Sequence, residues 1–168
     1  LIGRCAARLL PEHLAPNENI PAHYRSVLDK NTLDTPALAL ACVQREIHRM
    51  LLLTQDMMLP IMNLFERYDK KQNKKIIENN KRLNDAFDGI RHYSGELSQH
   101  ITSNSHRRQL RHLLEFAIAI EAAGNIVAKT LSPLALTRAK EGLRFSTKGF
   151  SELEGMHDRI IANISLAS

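Results

Sequence analysis

The 168-residue chain contains no tryptophan and only two cysteines, seven glycines and six prolines. Two cysteines, Cys5 and Cys42, are too few for a disulfide framework, which favours a reducing compartment. No apolar run reaches the roughly 18 residues that a membrane-spanning helix needs. The best candidate, residues 113–127, is interrupted by two glutamates and an asparagine. These absences predict a helical, water-soluble domain with a core of its own.

Signature motifs of several function classes are also missing. The sequence has no G-x-x-x-x-G-K-[ST], G-x-G-x-x-G or G-x-S-x-G pattern, which argues against nucleotide binding and against serine hydrolases. Eight histidines are present, but no H-E-x-x-H places two of them on one helix face. We expect the inward polar residues to be amides and a single glutamate. That set offers little for acid–base chemistry, so we do not expect an enzyme.

Positive charge is in excess, with a formal net charge of +5. Basic clusters can bind nucleic acid or anionic lipid headgroups, but lysines are also common at helix ends and on solvated faces. No aromatic residues interleave the basic clusters, as a single-strand binder would need, and no zinc-finger or RNA-recognition signature is present. Nucleic acid is therefore not an expected partner.

Apolar residues at helical spacing are abundant. Thr35 is a candidate N-cap, and Pro36 suits the first helical position, where its missing N–H costs no hydrogen bond. A stripe then recurs in steps of three and four residues: Leu40, Val43, Ile47, Met50, Thr54, Met57, Ile61 and Leu64. Pro60 lies within this stripe, so we expect a kink there or a helix that resumes after a break.

Two more stripes and a fourth element follow. The segment DKKQNKK, residues 69–75, is predicted to turn the chain, and Ser105 is a candidate cap for the third helix. A break near Ser132 and Pro133 is expected to be partial, because the sequence beyond it can extend the helix. The last helix is expected to begin near residues 146–147 and to face inward with Phe150, Leu153, His157, Ile160 and Ile164.

Short turns between long helices make neighbouring helices antiparallel. We therefore predict an all-α fold, an antiparallel up-down bundle in which a three-helix unit is followed by a fourth helix. Residues 1–33 are irregular and are predicted to be an extended lead-in, whereas residues 34–168 are predicted to form the bundle. Because the chain begins at Leu1, we expect it to be part of a longer protein.

Four stretches carry a resemblance to a known family: LDTPALALACVQREIHRM (33–50), NKRLNDAFDGIRHYSGELS (80–98), LLEFAIAIEAAGNIVAKTL (113–131) and LRFSTKGFSELEGMHDRI (143–160). In order and spacing they resemble the PhoU-like C-terminal cytoplasmic domain of bacterial sodium/phosphate cotransporter family proteins, over roughly residues 33–162. The resemblance implies a bundle of three-helix units on the cytoplasmic side of an inner or plasma membrane. It also implies an upstream transmembrane transporter part, with residues 1–32 as the juxtamembrane connector.

The function that the resemblance implies is non-catalytic regulation of phosphate transport, through contacts with the membrane part or with another protein. Two alternatives from other classes stay open. The chain could be a soluble metal-binding bundle, or a ligand-free scaffold that dimerises. A homodimer is compatible with the regulatory function and is the defining feature of the scaffold.

PhoU-like proteins typically carry E/D-x-x-x-D carboxylate pairs on two helices, which the resemblance aligns with Asn80 and Asn84 and with Glu121 and Asn125. Three of the four expected carboxylates are amides here, which offer neutral oxygens without charge. These four residues are candidate ligands of a divalent metal, with Asp88 as the nearest substitute carboxylate. We favour a hydrogen-bonded polar network instead. The glycine before Asn125 is expected to let a neighbouring helix approach closely.

A second candidate surface lies at the predicted turn between the second and third helices. If the membrane precedes residue 35, the first helix runs away from it and the second returns toward it. The turn would then present four basic residues to anionic lipid headgroups: His106, Arg107, Arg108 and Arg111. Each basic residue near such a surface contributes about 1 kcal/mol.

Overall fold

The computed structural model describes residues 24–167. Within this range the regular structure is helical, with no β-strand, and the short 3₁₀ turn Lys30–Thr32 precedes the first long helix. The helices are α1 (Pro36–Met58), α2 (Ile61–Glu66), α3 (Lys70–His100), α4 (Asn104–Ile126), a π-helical turn (Val127–Leu131), α5 (Ser132–Glu141) and α6 (Thr147–Ala167). The predicted all-α bundle of long helices is confirmed.

The first apolar stripe forms α1 and α2. Pro36 occupies the start of α1, as predicted, but the side chain of Thr35 makes no capping hydrogen bond. Thr35 therefore occupies the predicted N-cap position without a side-chain cap, and Pro36 favours this start because its φ is already helical. α1 ends at Met58 and the helix resumes after Pro60, so the proline produces a break.

Two other predicted helix boundaries need correction. Asp69 caps α3 by accepting hydrogen bonds from the backbone N–H groups of residues 71 and 72, so most of DKKQNKK belongs to the helix. The Asp69 carboxylate also interacts favourably with the helix dipole at this end. Ser103, not Ser105, caps α4.

The third stripe continues through α4 and the π-helical turn into α5, so the predicted partial break near Pro133 is a change of helix type. Gly142 then ends α5 with a positive φ of 66°, a conformation that glycine adopts without steric cost. The backbone N–H of Gly149 donates to the Ser146 hydroxyl, and α6 begins at Thr147, as predicted.

The core lies between α1, α3 and α4. Large apolar side chains of these helices are fully buried there, among them Met50, Met57, Leu83, Ile90 and Leu97. α3 and α4 pack closely because Gly124 has no side chain. A Cβ at this glycine would lie 2.1 Å from Leu83 Cδ2 and 3.0 Å from Met57 Cε, so the predicted close approach is confirmed.

α6 packs on the outside of this three-helix core, and none of its described residues is buried. Two polar contacts tie it to α1: Gln55 Nε2 donates to Ser165 Oγ at 3.0 Å, and His157 Nε2 lies 3.1 Å from the carbonyl oxygen of Met58. Four of the five predicted inward residues are half-buried, whereas Ile160 faces the rest of the bundle but stays 42% exposed.

Residues 1–23 of the predicted lead-in lie outside the described residues. The part that follows is bound to the core by a buried ion pair within α1. The guanidinium of Arg49 donates to Glu46 Oε1 at 3.0 Å, and Glu46 Oε2 accepts the backbone N–H of Val27 at 2.8 Å. The expectation that amides and one glutamate are the inward polar residues is therefore wrong. Two charges can be buried together because each neutralises the other.

Candidate functional site

The structure brings together residues of the aligned carboxylate pairs at the α3–α4 interface. Asn80 Nδ2 donates to Asn125 Oδ1 at 3.3 Å, and Asn125 Nδ2 donates to Glu121. α3 and α4 are antiparallel, so Asn84, one turn after Asn80, lies at the level of Glu121, one turn before Asn125. We call these four residues the amide site.

The amide site is built by regular helix geometry. Residues four apart share a helix face, which places one pair on α3 and one pair on α4. Gly124 brings the two helices close enough for the side chains to meet, and the π-helical turn begins directly after Ile126. π-helical turns occur often at functional positions, because the inserted residue re-aims the neighbouring side chains.

Two oxygens of the amide site have no hydrogen-bond partner. They are Oδ1 of Asn80 and Oδ1 of Asn84, and both atoms are buried. Asn80 itself is only 7% exposed. A buried acceptor without a donor is unfavourable by about 1–3 kcal/mol. The predicted polar network therefore exists, but it leaves acceptors unpaired.

The amide site does not fit a multivalent metal. Glu121 supplies its single formal charge, and no group of three or more His, Cys, Asp or Glu residues within residues 24–167 could hold a metal ion. Divalent cations in proteins are usually held by several carboxylates, and neutral amide oxygens add no charge. Asp88 is no substitute, since it is exposed and lies 3.5 Å from Arg91. The arrangement can accept hydrogen bonds but cannot balance a charge of two or more.

The predicted basic surface lies at the end of the bundle where α1 begins. His100 Nδ1 is 3.2 Å from Asp34 Oδ1, which places the α3–α4 connection beside the start of α1, as the topology predicts. Arg107, Arg108 and Arg111 are exposed, and Arg107 also donates to the carbonyl oxygen of Ile101. His106, also predicted for this surface, is half-buried. The structure thus places the four residues on one end, and three of them are exposed to solvent.

A feature that sequence reasoning missed is an apolar groove of about 670 Å³ at the opposite end, which we call the α6 groove. It lies between α6 and the segments α1, α2 and α5, and its apolar lining includes Met58, Phe65, Leu134, Phe145, Met156 and Ile160. Arg138, Arg144 and His157 are its polar lining residues, and no carboxylate lines it. The exposure of Met156 and Ile160 could not be predicted from the helical pattern, because the pattern does not show which other helices cover the apolar face of α6.

The thiol of Cys42 is buried and lies under the 3₁₀ turn. The Arg45 guanidinium donates to its sulfur at 3.2 Å, and the Thr32 hydroxyl lies 3.7 Å away. Burial raises the pKa of Cys42, but the hydrogen bonds from Thr32 and Arg45 outweigh burial and lower the pKa below its ordinary value. Burial also raises the pKa of Tyr93, whose hydroxyl is 2.6 Å from Thr32. These contacts hold the lead-in on the bundle.

No helix within residues 24–167 is long and apolar enough to cross a membrane. The fold of these residues is an all-helical bundle with a polar site between its second and third long helices. The PhoU domain family matches residues 47–131, about half of the chain. This range contains the whole amide site, and the chain belongs to the PhoU domain family.

Similar full-length proteins are bacterial and share a name. The protein called "Putative inorganic phosphate export protein YjbB" in Salmonella typhimurium is 27% identical over 142 residues, which are 83% of this chain and 26% of that protein. Its namesake in Escherichia coli K12 is 26% identical over 140 residues, with the same two coverages. The chain thus spans about a quarter of the length of these relatives. No solved structure matches it.

Proposed function

We propose that this chain is the regulatory domain of a sodium-dependent phosphate transporter and acts without catalysis. The observation that carries the proposal is the PhoU domain match over residues 47–131, combined with relatives that are named for phosphate export. In this proposal the transmembrane transporter part precedes the domain in the same protein, and the domain lies on the cytoplasmic side of the membrane.

Two features of the fold support regulation by contact. The α6 groove exposes a large apolar surface, which is typical of protein–protein interaction sites. The lead-in is fixed to the core by Glu46 and by Tyr93, whose hydroxyl donates to the carbonyl oxygen of Asp29 at 3.0 Å. These contacts join residues 27–29 to α1 and α3, so a movement of residues 27–29 would act on both helices.

The experiment is phosphate flux through the full-length protein in proteoliposomes. Radiolabelled phosphate is measured in both directions, with a sodium gradient or a potassium gradient, for the intact protein and for a protein truncated before residue 34. We expect flux to depend on sodium in both proteins and its rate to change when the domain is removed. Equal flux with the two cations would refute sodium dependence, and equal rates of the two proteins would refute regulation.

A pair of α6 variants tests whether contact is the mechanism. Met156→Asp places a charge in the exposed lining of the α6 groove, whereas Ser151→Asp adds the same charge on an exposed position of the same helix that does not line the groove. We expect the first variant to change the flux rate as truncation does and the second to leave it unaltered. Circular dichroism of both isolated domains checks that each still folds.

We also propose that the basic end of the bundle contacts anionic lipid headgroups. Arg108 and Arg111 are exposed there, and each would contribute about 1 kcal/mol to binding at low salt. Sedimentation with vesicles that contain anionic lipid measures this directly. We expect binding that weakens with salt and is lost in Arg108→Glu/Arg111→Glu, while Lys140→Glu, at the opposite end, retains it. Salt-insensitive binding, or binding that survives the charge reversal, would contradict the contact.

A further inference from the structure

We propose that the amide site binds a single alkali cation, sodium or potassium. Two acceptors of this site, Asn80 Oδ1 and Asn84 Oδ1, are unpaired. Both atoms are buried, and a buried polar atom without a partner in a folded protein usually has a water or an ion beside it. The groups around these two atoms decide between a water and an ion.

The unpaired atoms and the charge of the site favour a cation. Asn80 and Asn125 each donate one amide N–H along a hydrogen-bond chain that ends on the carboxylate of Glu121. The two buried atoms of the amide site that have no partner are both acceptors. A water can donate to both of them but leaves the negative charge of Glu121 uncompensated. A cation interacts favourably with the same oxygens and also balances that charge.

The total charge of the amide site determines which valence of cation it can balance. Glu121 supplies one negative charge, and within residues 24–167 no salt bridge includes it. One charge balances a monovalent ion and leaves a divalent ion half-compensated in a partly buried place, where uncompensated charge is costly. Neutral carbonyl oxygens can replace the hydration shell of an alkali ion, as they do in potassium-selective filters. The same substitutions that make the site unfit for a multivalent metal therefore make it suitable for sodium or potassium.

The site also has a structural consequence for the bundle. Asn80 and Asn84 belong to α3, and Glu121 and Asn125 belong to α4, so a bound ion joins the two helices at the point where Gly124 brings them together. Binding to the folded state alone stabilises it as the ion concentration rises. This inference does not depend on the proposed transport function, because it concerns the isolated domain.

Thermal unfolding of the domain at constant ionic strength tests the proposal. The chloride salts of sodium, potassium and choline are compared, and choline is the control because its methyl groups prevent close approach to oxygen ligands. We expect a Tm that rises saturably with sodium or potassium relative to choline, and the two alkali arms show which ion is preferred. Equal Tm values in all three salts would mean that the acceptors are satisfied by water only and would overturn the proposal.

Two variants distinguish the site from a general salt effect. Asn84→Leu removes one unpaired oxygen without breaking a described hydrogen bond and should abolish the difference between alkali salts and choline. Gln99→Leu, at an exposed position of the same helix, should preserve it. Line broadening of sodium-23 NMR by the unaltered domain, reversed by added potassium, provides an independent measurement if Asn84→Leu does not fold. A difference that persists in a folded Asn84→Leu would refute the site, and so would the absence of sodium-23 broadening in a domain whose Tm rises with sodium.

The aligned carboxylates provide the complementary experiment. Asn80→Asp/Asn84→Asp/Asn125→Asp raises the formal charge of the site to four negative charges. We expect this triple variant to gain a Tm increase with calcium or manganese that the unaltered domain lacks. If the unaltered domain responds to these divalent ions as strongly as the variant, then charge does not select the valence and the inference is wrong.

Discussion

The three-helix core and α6 are both made of amphipathic helices, yet they use their apolar faces differently. α1 is buried along one whole side, including the charged pair of Glu46 and Arg49. α6 has a comparable apolar stripe but no buried residue, and Met156 is 56% exposed. The difference shows that an apolar stripe marks the helix face that can be buried. Whether that face is covered depends on the packing of the other helices. Four pairs of variants test this contrast.

The largest contrast is expected between a buried and an exposed glutamate. Glu46→Ala removes one partner of a buried ion pair and the acceptor of the Val27 N–H, so we expect a loss of about 3–5 kcal/mol in the free energy of unfolding. Glu152→Ala affects only an exposed ion pair with Lys148 and should change the free energy of unfolding by less than about 0.5 kcal/mol. Urea denaturation followed by circular dichroism measures both. Similar losses of stability in the two variants would show that the core and α6 do not differ in how strongly burial stabilises them.

Two methionines give the next contrast. Met57 is fully buried, and Met57→Ala should cost about 2–5 kcal/mol because it leaves a cavity between the core helices. Met156→Ala removes an exposed side chain from the α6 groove and should change stability by less than about 0.5 kcal/mol. The same denaturation experiment applies. A large loss for Met156→Ala would mean that the α6 groove is closed in solution, for example by a second copy of the chain.

Alanine substitutions at two helical glycines should change the stability of the protein in opposite directions. Gly124→Ala introduces a Cβ in conflict with the fully buried side chains of Leu83 and Met57. This overpacking costs about 1–3 kcal/mol, so after the gain in helix propensity of about 1 kcal/mol we expect a net loss of up to about 2 kcal/mol. Nothing lies within 4 Å of a Cβ at Gly155, so Gly155→Ala should stabilise α6 by up to about 1 kcal/mol. Thermal melting curves show the sign. Stabilisation by Gly124→Ala would show that α3 and α4 can move apart freely.

The smallest contrast concerns two helix caps. Asp69→Ala removes the cap of α3 and should lower the global stability by about 1 kcal/mol, because α3 belongs to the core. Ser146→Ala removes the acceptor of the Gly149 N–H, and its effect should stay within α6. Hydrogen exchange followed by mass spectrometry should show faster exchange at the start of α6 alone. Faster exchange throughout the core in Ser146→Ala would mean that α6 unfolds together with it.

Much of the fold could be predicted from the sequence because its strongest signals are local. The stripe from Leu40 to Leu64, the break at Pro60 and the start of α6 after Ser146 were all predicted. The predicted cap of α4, Ser105, lies two residues after the true cap, and the predicted turn DKKQNKK belongs to α3 from its second residue onward. At both places several residues could serve as the boundary. Such competition is settled by which side chain reaches the free N–H groups, as Asp69 and Ser103 do.

The candidate site was predicted less completely. The alignment with PhoU-like proteins named all four residues of the amide site, and the structure shows that three of them form one hydrogen-bond chain. Which oxygens stay unpaired could not be predicted, since it depends on the geometry between two helices. The Glu46–Arg49 pair was missed although both residues flank the apolar positions of α1. Charged residues at the edge of a stripe are usually solvated, so sequence alone favours the wrong interpretation.

The sequence by itself determined the long helices of this protein, their order and the apolar face of each, because periodicity, caps and prolines act within a few residues. Tertiary structure alone decided which faces are covered. It buried a charged pair under the lead-in, brought α3 and α4 together at Gly124 and left α6 with an open groove. Burial depends on contacts between residues far apart in the chain, and no local pattern records them.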